Sequence, residues 1–310
     1  MKNRYIEVVP YNSDWPLAFE AEAVKIKQAL GDNCIEIHHI GSTSVPELAA
    51  KPLIDMIPVV RDIGAVDELA MEALGYETMG EFGIPFRRFF SKSKDLRTHN
   101  VHVFEQGNLE IERHLKFRNW MHNNPADRNA YAELKIKLAQ QFPECIKSYC
   151  IGKDNFIANI DAKAGWDSFR FLMAATPKEW EEYHRIRREQ IFAPINVVYD
   201  ENHPSLTAEN NFHFVLYKGT KIVCVAHVEF LNESEAAIRS LATDEPYKRN
   251  GYGIYMMKLL EKWIKSQGHN IIKIHANPNA GHFYRSLGFI DMEFDDVSIS
   301  KETIDLGKIL

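Results

Sequence analysis

Two short segments of this 310-residue chain carry residue types suited to a phosphorylated cofactor. The first, Lys248-Arg249-Asn250-Gly251-Tyr252-Gly253, lies between a strand pattern over residues 236–243 and an amphipathic helical pattern over 254–266. Its glycines let successive backbone N–H groups turn toward one point. The helix that follows adds the positive end of its dipole, so the turn suits a pyrophosphate. A turn that needs glycine only for tight packing explains the same residues. The second segment, Asn277-Pro278-Asn279-Ala280-Gly281-His282-Phe283-Tyr284-Arg285-Ser286-Leu287-Gly288-Phe289, follows at another strand-to-helix junction.

Taken together, these segments resemble the GNAT superfamily of acyltransferases. Its phosphate loop runs Arg or Gln, two residues, Gly, one residue, Gly or Ala, and its later helix carries Tyr before a Leu-Gly-Phe end. Lys248, Gly251 and Gly253 match the loop, with lysine in place of the usual Arg or Gln; Asn277, Ala280 and Tyr284 match the second segment. The resemblance covers about residues 168–300 and implies an N-acyltransferase using acetyl-coenzyme A or another short acyl-coenzyme A. By the same resemblance, the backbone of Arg249, Asn250, Gly251, Tyr252 and Gly253 holds the pyrophosphate, the strand edge from Leu241 to Thr243 pairs with the pantetheine arm, and Asn277 adds a contact. Tyr284 becomes the acid for the leaving thiolate, a role its phenol pKa near 10 suits. The alternative for Tyr284 is a ring packed under the loop.

The base is less legible. Arg239 is the only charged residue of the 236–243 strand, so the glutamate often found there in this family has no counterpart, and Glu229, His227 and Asp244 are the candidates. Loss of the proton through water is the alternative. The acceptor, a small-molecule or peptide amine, is expected to be read by segments such as residues 186–205.

A different cluster lies near the start: His38-His39-Ile40-Gly41-Ser42-Thr43-Ser44-Val45-Pro46-Glu47-Leu48-Ala49-Ala50-Lys51-Pro52-Leu53-Ile54-Asp55. A Gly-Ser pair ending one strand, with Asp on another about a dozen residues later, opens a nucleotidyltransferase pattern: small residues admit a triphosphate and the acid holds a divalent metal. The stretch resembles the GrpB-like family, also called UPF0157, and the likeness runs over about residues 5–160 through His99, His102 and the 113–118 segment. It implies a ligand site of Gly41, Ser42, Thr43, Lys51, Asp55, Arg88, His99 and His102, taking a nucleotide or phosphorylated ligand, with Mg or Mn at Asp55. Position 57 is isoleucine where two-metal chemistry wants a second acid, and no acid lies on the 99–103 strand. The patch Phe86-Arg87-Arg88-Phe89-Phe90-Ser91-Lys92, with Lys94 and Arg97 beyond, suits a base and phosphates, or equally a solvated hairpin with a buried phenylalanine face.

These segments need two scaffolds. The expected fold class is α/β (α+β) in two domains: residues 1–165, a nucleotidyltransferase-like mixed sheet with helices, and 166–310, a GNAT fold with a central mixed sheet flanked by helices. The patterns predict a helix over 131–142, a helix over 156–164 closed by Gly165, a strand over 168–174, and a helix opened by Thr176-Pro177-Lys178-Glu179. Strands over 212–217 and 221–230 form a hairpin around Lys218-Gly219-Thr220; a strand over 271–275, a helix over 280–287 and an extended stretch over 290–299 complete the domain. The net charge of -6 is shared by both halves, which excludes broad nucleic-acid binding. Four scattered cysteines form neither a metal motif nor a disulfide scaffold, and no apolar stretch suits export or a membrane, so the expectation is a cytoplasmic protein. Three readings stand: an acyltransferase with a ligand-binding first domain, a bifunctional protein whose first domain is a metal-dependent nucleotidyl or phosphoryl transferase, and a non-catalytic sensor.

Overall fold

A computed structural model describes residues 5–92, 97–296 and 302–310. The chain divides into two compact units, Met1–Arg170 and Phe171–Leu310. In the first, α1 (Trp15–Leu30) leads into β1 (Cys34–Ile40) and β2 (Ile54–Val60); α2 (Glu68–Ala73), β3 (Tyr76–Thr78), β4 (Arg87–Lys92) and β5 (His99–Glu105) follow. Helices α3 (Leu109–Asn123), α4 (Pro125–Gln141), α5 (Ile146–Ile151) and α6 (Asp154–Lys163) complete it. The mixed sheet runs β1-β2-β5-β4-β3, with β2 and β5 parallel.

Alternation of side chains divides that sheet into two faces. Met56, Val101, Val103 and Phe90 join α1 residues such as Ile26 in one core. Ile40, Ile57 and Phe104 pack on the other side with Ile111 and Leu115 of α3. Asp55, Asn100, His102, Phe89 and Ser91 fall on this second face, because each alternates with a residue of the first core.

β6 (Phe169–Met173) begins two residues before the second unit, and α7 (Pro177–Arg187) follows it. The helix start takes the expected capping box: the Glu179 N–H donates to Thr176 Oγ1 at 3.3 Å, and the Thr176 N–H donates to Glu179 Oε2 at 2.9 Å. Next come β7 (Asn211–Lys218), β8 (Lys221–Phe230), β9 (Glu235–Thr243), α8 (Tyr252–Ser266), β10 (Ile271–Ala276), α9 (Gly281–Ser286), β11 (Ile290–Asp291) and β12 (Ile304–Ile309). The sheet order is β11-β12-β10-β9-β8-β7-β6. Met256, Met257, Leu260, Trp263 and Ile264 form the buried stripe of α8, and Trp263 meets Phe212, Phe214 and Phe230 of the sheet.

Most of the predicted elements match within two residues. Two differ. The helix predicted over 131–142 begins at Pro125, where proline at the first position sets the turn. Of the extended stretch predicted over 290–299, only Ile290–Asp291 is strand, and residues 297–299 lie outside the described residues; β12 pairs antiparallel with β10 instead. No helix among the described residues is long and apolar enough to cross a membrane.

Candidate functional site

The second unit has a break in its sheet where the two sequence segments meet. Strands β9 and β10 pair in parallel only through Glu235, Ala236 and Ala237, opposite Ile271, Ile272 and Lys273. Across β8, His227 faces Ser240 while the adjacent Val228 faces Ile238, so Arg239 is an extra residue, a β-bulge. A bulge bends its strand, and from Ile238 to Thr243 β9 has no β10 partner among the described residues. Leu241 and Thr243 therefore keep β8 on one side, through Ala226 and Cys224, and an open edge on the other. That edge offers backbone donors and acceptors to an extended amide-bearing molecule.

The open edge runs into the glycine loop. Arg249 at φ 64° and Gly251 at φ 80° both take left-handed conformations, and Gly251 caps α8. Lys248, Arg249, Asn250 and Gly251 are exposed, and Tyr252 and Gly253 half-buried. Lys248 Nζ pairs with Glu245 at 2.5 Å, and Asn250 Nδ2 donates to the Tyr247 and Lys248 carbonyls at 3.2 and 3.3 Å. A Cβ added at Gly253 would lie 3.4 Å from Thr243 Oγ1 and 3.6 Å from Phe283, so strand end, loop and α9 converge there. Asn277, at the end of β10, accepts from the Asn279 N–H at 2.9 Å and is otherwise exposed.

Tyr284 is buried at 8% exposure, and its hydroxyl has no hydrogen-bond partner among the described residues. Burial, then the nearby Cys224, pushes its pKa up, keeping the phenol protonated. Cys224, itself raised to about 12 by burial, receives a hydrogen bond from Thr243 Oγ1 at 3.6 Å.

Of the three base candidates, Asp244 is buried and receives two hydrogen bonds from Arg185, at 3.1 and 2.8 Å, which makes it structural. His227 is buried, and its pKa is driven to about 2 by burial, then His213 and Arg187, so it is a poor proton acceptor at neutral pH. Glu229 lies opposite Ala237, beside the point where β9 leaves β10, with its side chain 25% exposed. Arg239 Nε donates to its Oε2 at 2.6 Å and Asn210 Nδ2 to its Oε1 at 3.2 Å. Sequence reasoning missed Arg187, a buried cation under Tyr183, Phe192 and Tyr199.

In the first unit, Gly41 and Ser42 follow β1, and Gly41 presses against Asp55: a Cβ at Gly41, which has φ 71°, would fall 2.6 Å from Asp55 Oδ2. Asn100 Nδ2 donates to Asp55 Oδ1 at 2.9 Å, and His102 Nε2 stands 3.9 Å from the same oxygen. Arg87 Nη1 can only donate, so its 3.0 Å contact makes His102 Nδ1 the acceptor and leaves the ring proton on Nε2, toward Asp55. Burial works to raise the Asp55 pKa, but His102, Asn100 and Lys51 outweigh it and hold the carboxyl below its ordinary value. Thr43 is buried, with Oγ1 donating to the Leu53 carbonyl at 3.1 Å.

Two expected members stand elsewhere. Arg88 pairs opposite Val103 and His99 opposite Ile54, both on the other face of the sheet, and Arg88 Nε lies 3.5 Å from Glu68 of α2. The expected Mg or Mn at Asp55 is also corrected, because N–H donors of Asn100 and His102 surround the carboxylate and no three His, Cys, Asp or Glu side chains among the described residues converge to hold a metal ion. The basic-aromatic patch is strand β4: Arg87 is buried and spends its guanidinium on the Glu81 and Phe82 carbonyls as well as His102. Lys94 lies outside the described residues. Asn100 and Ser91, missed in the sequence, extend a polar row from Asp55; Ser91 Oγ and Asn100 Oδ1 are buried without a partner among the described residues.

Comparison with known proteins separates the same two regions. Residues 5–163 match the sequence model described as GrpB protein, and residues 168–289 that of the acetyltransferase (GNAT) family. The UPF0157 protein YqkA of Bacillus subtilis is 46% identical over 163 residues, which are 52% of this chain and 48% of that protein. The chain thus spans about half the length of that relative. The UPF0157 protein BH1888 of Halalkalibacterium halodurans is 37% identical over 166 residues, 52% of this chain and 84% of its own. Among solved structures, the conserved protein GrpB from Enterococcus faecalis aligns at TM-score 0.49 with 47% identity, covering 51% of this chain and 96% of its own. A GNAT family acetyltransferase from Elizabethkingia anophelis with acetyl-CoA bound aligns at TM-score 0.36 with 14% identity, covering 46% and 99%.

Proposed function

From a chain that belongs to the GrpB family and ends in a GNAT acetyltransferase domain, we propose an acyl-coenzyme A-dependent N-acyltransferase that acetylates an amine. The observation that carries this reading is the open β9 edge at Leu241–Thr243 leading into the left-handed turn at Arg249 and Gly251. The pantetheine amides pair with that edge, Asn277 borders it, and the N–H groups of residues 249–253 at the start of α8 receive the pyrophosphate. Lys248 adds a mobile positive charge once it leaves Glu245.

The amine attacks the thioester carbonyl, the C–S bond breaks, and the departing thiolate takes the Tyr284 proton, which solvent restores. Tyr284 is suited to this by its protonated state and unbonded hydroxyl. The proton lost by the amine passes to Glu229, directly or through one water, because Glu229 is the carboxylate nearest in register to the strand separation. Its pairing with Arg239 holds the carboxylate in place beside that separation. Cys224 and Glu229 are an odd number of residues apart on β8 and point to opposite faces, so the acid beside Cys224 and the base approach the separation from opposite sides.

The first unit is read as a ligand-binding domain without metal chemistry. The N–H donors of Asn100 and His102 turned toward Asp55 weigh against a metal-dependent nucleotidyl transfer there. The test of the main reading is release of free thiol from acetyl-coenzyme A in the presence of an amine panel, wild type against Tyr284→Phe. Thiol release that requires both an amine and Tyr284 supports it; amine-independent release, or none with any amine, opposes it.

A further inference from the structure

The second unit contains a buried cation with no opposing acid among the described residues. Arg187 ends α7 at 6% exposure, just before a π-helical turn over Arg188–Phe192. Its guanidinium lies 5.1 Å from the Tyr183 ring centroid, 5.2 Å from Tyr199 and 5.7 Å from Phe192. Nη1 donates to Tyr199 Oη at 3.3 Å, whereas Nε is buried without a partner among the described residues. No carboxylate among those residues forms an ion pair with it, in a unit where Arg185, Arg188, Arg239 and Arg285 each have one. Buried cations are ordinarily paired, and aromatic faces replace a counter-ion only in part.

The groups around Arg187 cannot supply the missing charge. Tyr199 Oη accepts from Arg187 and shares a 2.7 Å hydrogen bond with His184 Nδ1. His213 Nε2 donates to the Ser205 carbonyl at 3.0 Å, which leaves Nδ1 to accept from Tyr183 Oη at 2.7 Å. That histidine is neutral, its pKa lowered to about 4 by burial above all. His227, its ring tilted against His213 with centroids 4.5 Å apart, is neutral too, and Arg187 contributes to lowering both. Opposite His227 on β9 stands Ser240, whose buried Oγ also has no partner among the described residues. An unpaired guanidinium edge and an unpaired hydroxyl thus flank neutral rings on the face that carries Glu229.

Resting on the acyltransferase reading, we propose that the acceptor is an amine bearing a carboxylate, and that Arg187 binds this carboxylate through its free Nε edge while Ser240 adds a hydrogen bond. The guanidinium fork matches a carboxylate in two parallel hydrogen bonds, which selects acids over amides. Arg187 is a specificity residue here and takes no part in proton transfer.

The test is calorimetric binding to the full chain of amino acids, β-alanine and γ-aminobutyrate, each against its carboxamide, followed by transfer from acetyl-coenzyme A with the same panel. The expected result is at least one acid bound about 10- to 100-fold more tightly than its amide, the range for a hydrogen-bonded charge. Arg187→Met should erase that preference through KM while acetyl-coenzyme A binding stays unchanged, and Arg187→Lys should restore it in part. Equal binding of acids and amides by wild type, no acid bound at millimolar concentration, or a stronger preference for phosphoethanolamine would overturn the proposal. Acid-selective binding without any transfer would leave the proposal standing and defeat the acyltransferase reading instead.

Discussion

Gly251→Ala separates a conformational cost from a steric one at the heart of the cofactor loop. At φ 80° an added Cβ meets nothing within 4 Å, so the penalty is the left-handed conformation itself, about 1 to 2 kcal/mol for a residue with a side chain. For a unit of this size that predicts a fall of roughly 3 to 8 °C in the melting temperature of the second unit. Gly253→Ala is the matched control. Its Cβ would rest at 3.4 Å from Thr243 Oγ1, close but not clashing, and alanine in a helix gains about 1 kcal/mol over glycine, so stability should hold or rise. If the backbone of the Gly251→Ala variant relaxes to a right-handed conformation at that position, N–H groups turn from the phosphates. Losing one or two hydrogen bonds to a charged group, at about 1.5 to 3 kcal/mol each, weakens acetyl-coenzyme A tenfold or more. Calorimetric melting and titration of both variants read the two effects. A Gly251→Ala protein as stable as wild type and equally able to bind acetyl-coenzyme A would refute the reasoning.

Tyr284→Phe should lower kcat about 100-fold with the dissociation constant for acetyl-coenzyme A unchanged, measured by steady-state thiol release and titration. Glu229→Gln should lower kcat in the same assay with acetyl-coenzyme A binding unchanged, since an amide cannot take up the proton that the amine loses. In the first unit, Lys92, Lys25 and Tyr76 overcome burial and hold Glu22 at about 2. Its folded pKa is depressed, so its stabilisation is present above about 4.5 and lost as the pH falls through 2; urea midpoints should show Glu22→Gln losing about 2 to 3 kcal/mol at pH 7 and about 1 kcal/mol at pH 3. Burial lowers Lys135 to about 7, so the folded state binds that proton less tightly than the unfolded chain. Stability should therefore rise between about pH 7 and 10, a slope that Lys135→Met removes.

The sequence made the local elements visible where residue type and spacing act within a few positions. The capping box at Thr176 and Glu179, the hairpin around Gly219 and the stripe of α8 are of that kind. Features set by pairing at a distance were hidden. The bulge at Arg239 is a register event between β8 and β9, and no residue type announces it. β12, with Gly307 in its middle, lacks clean alternation and is specified by its partner β10. For the same reason Arg88 and His99 were grouped with Asp55: near in sequence to face-mates of Asp55, they differ from them in parity, and only the register assigns their face. Arg187 reads on a helix as one more solvated charge, because the rings that bury it come from Phe192 and Tyr199 as well as from its own helix.

The account stands most directly on where acetyl-coenzyme A binds. A calorimetric titration of acetyl-coenzyme A into the wild-type chain and into a Gly251→Ala, Gly253→Val double variant addresses it, since the valine would fill the strip between Thr243 and Phe283. One molecule bound per chain by the wild type, and none by the double variant that still melts as a folded protein, is the predicted result. Equal binding by both proteins, or none by the wild type, would contradict the assignment of the β9 edge and the glycine loop as the cofactor site.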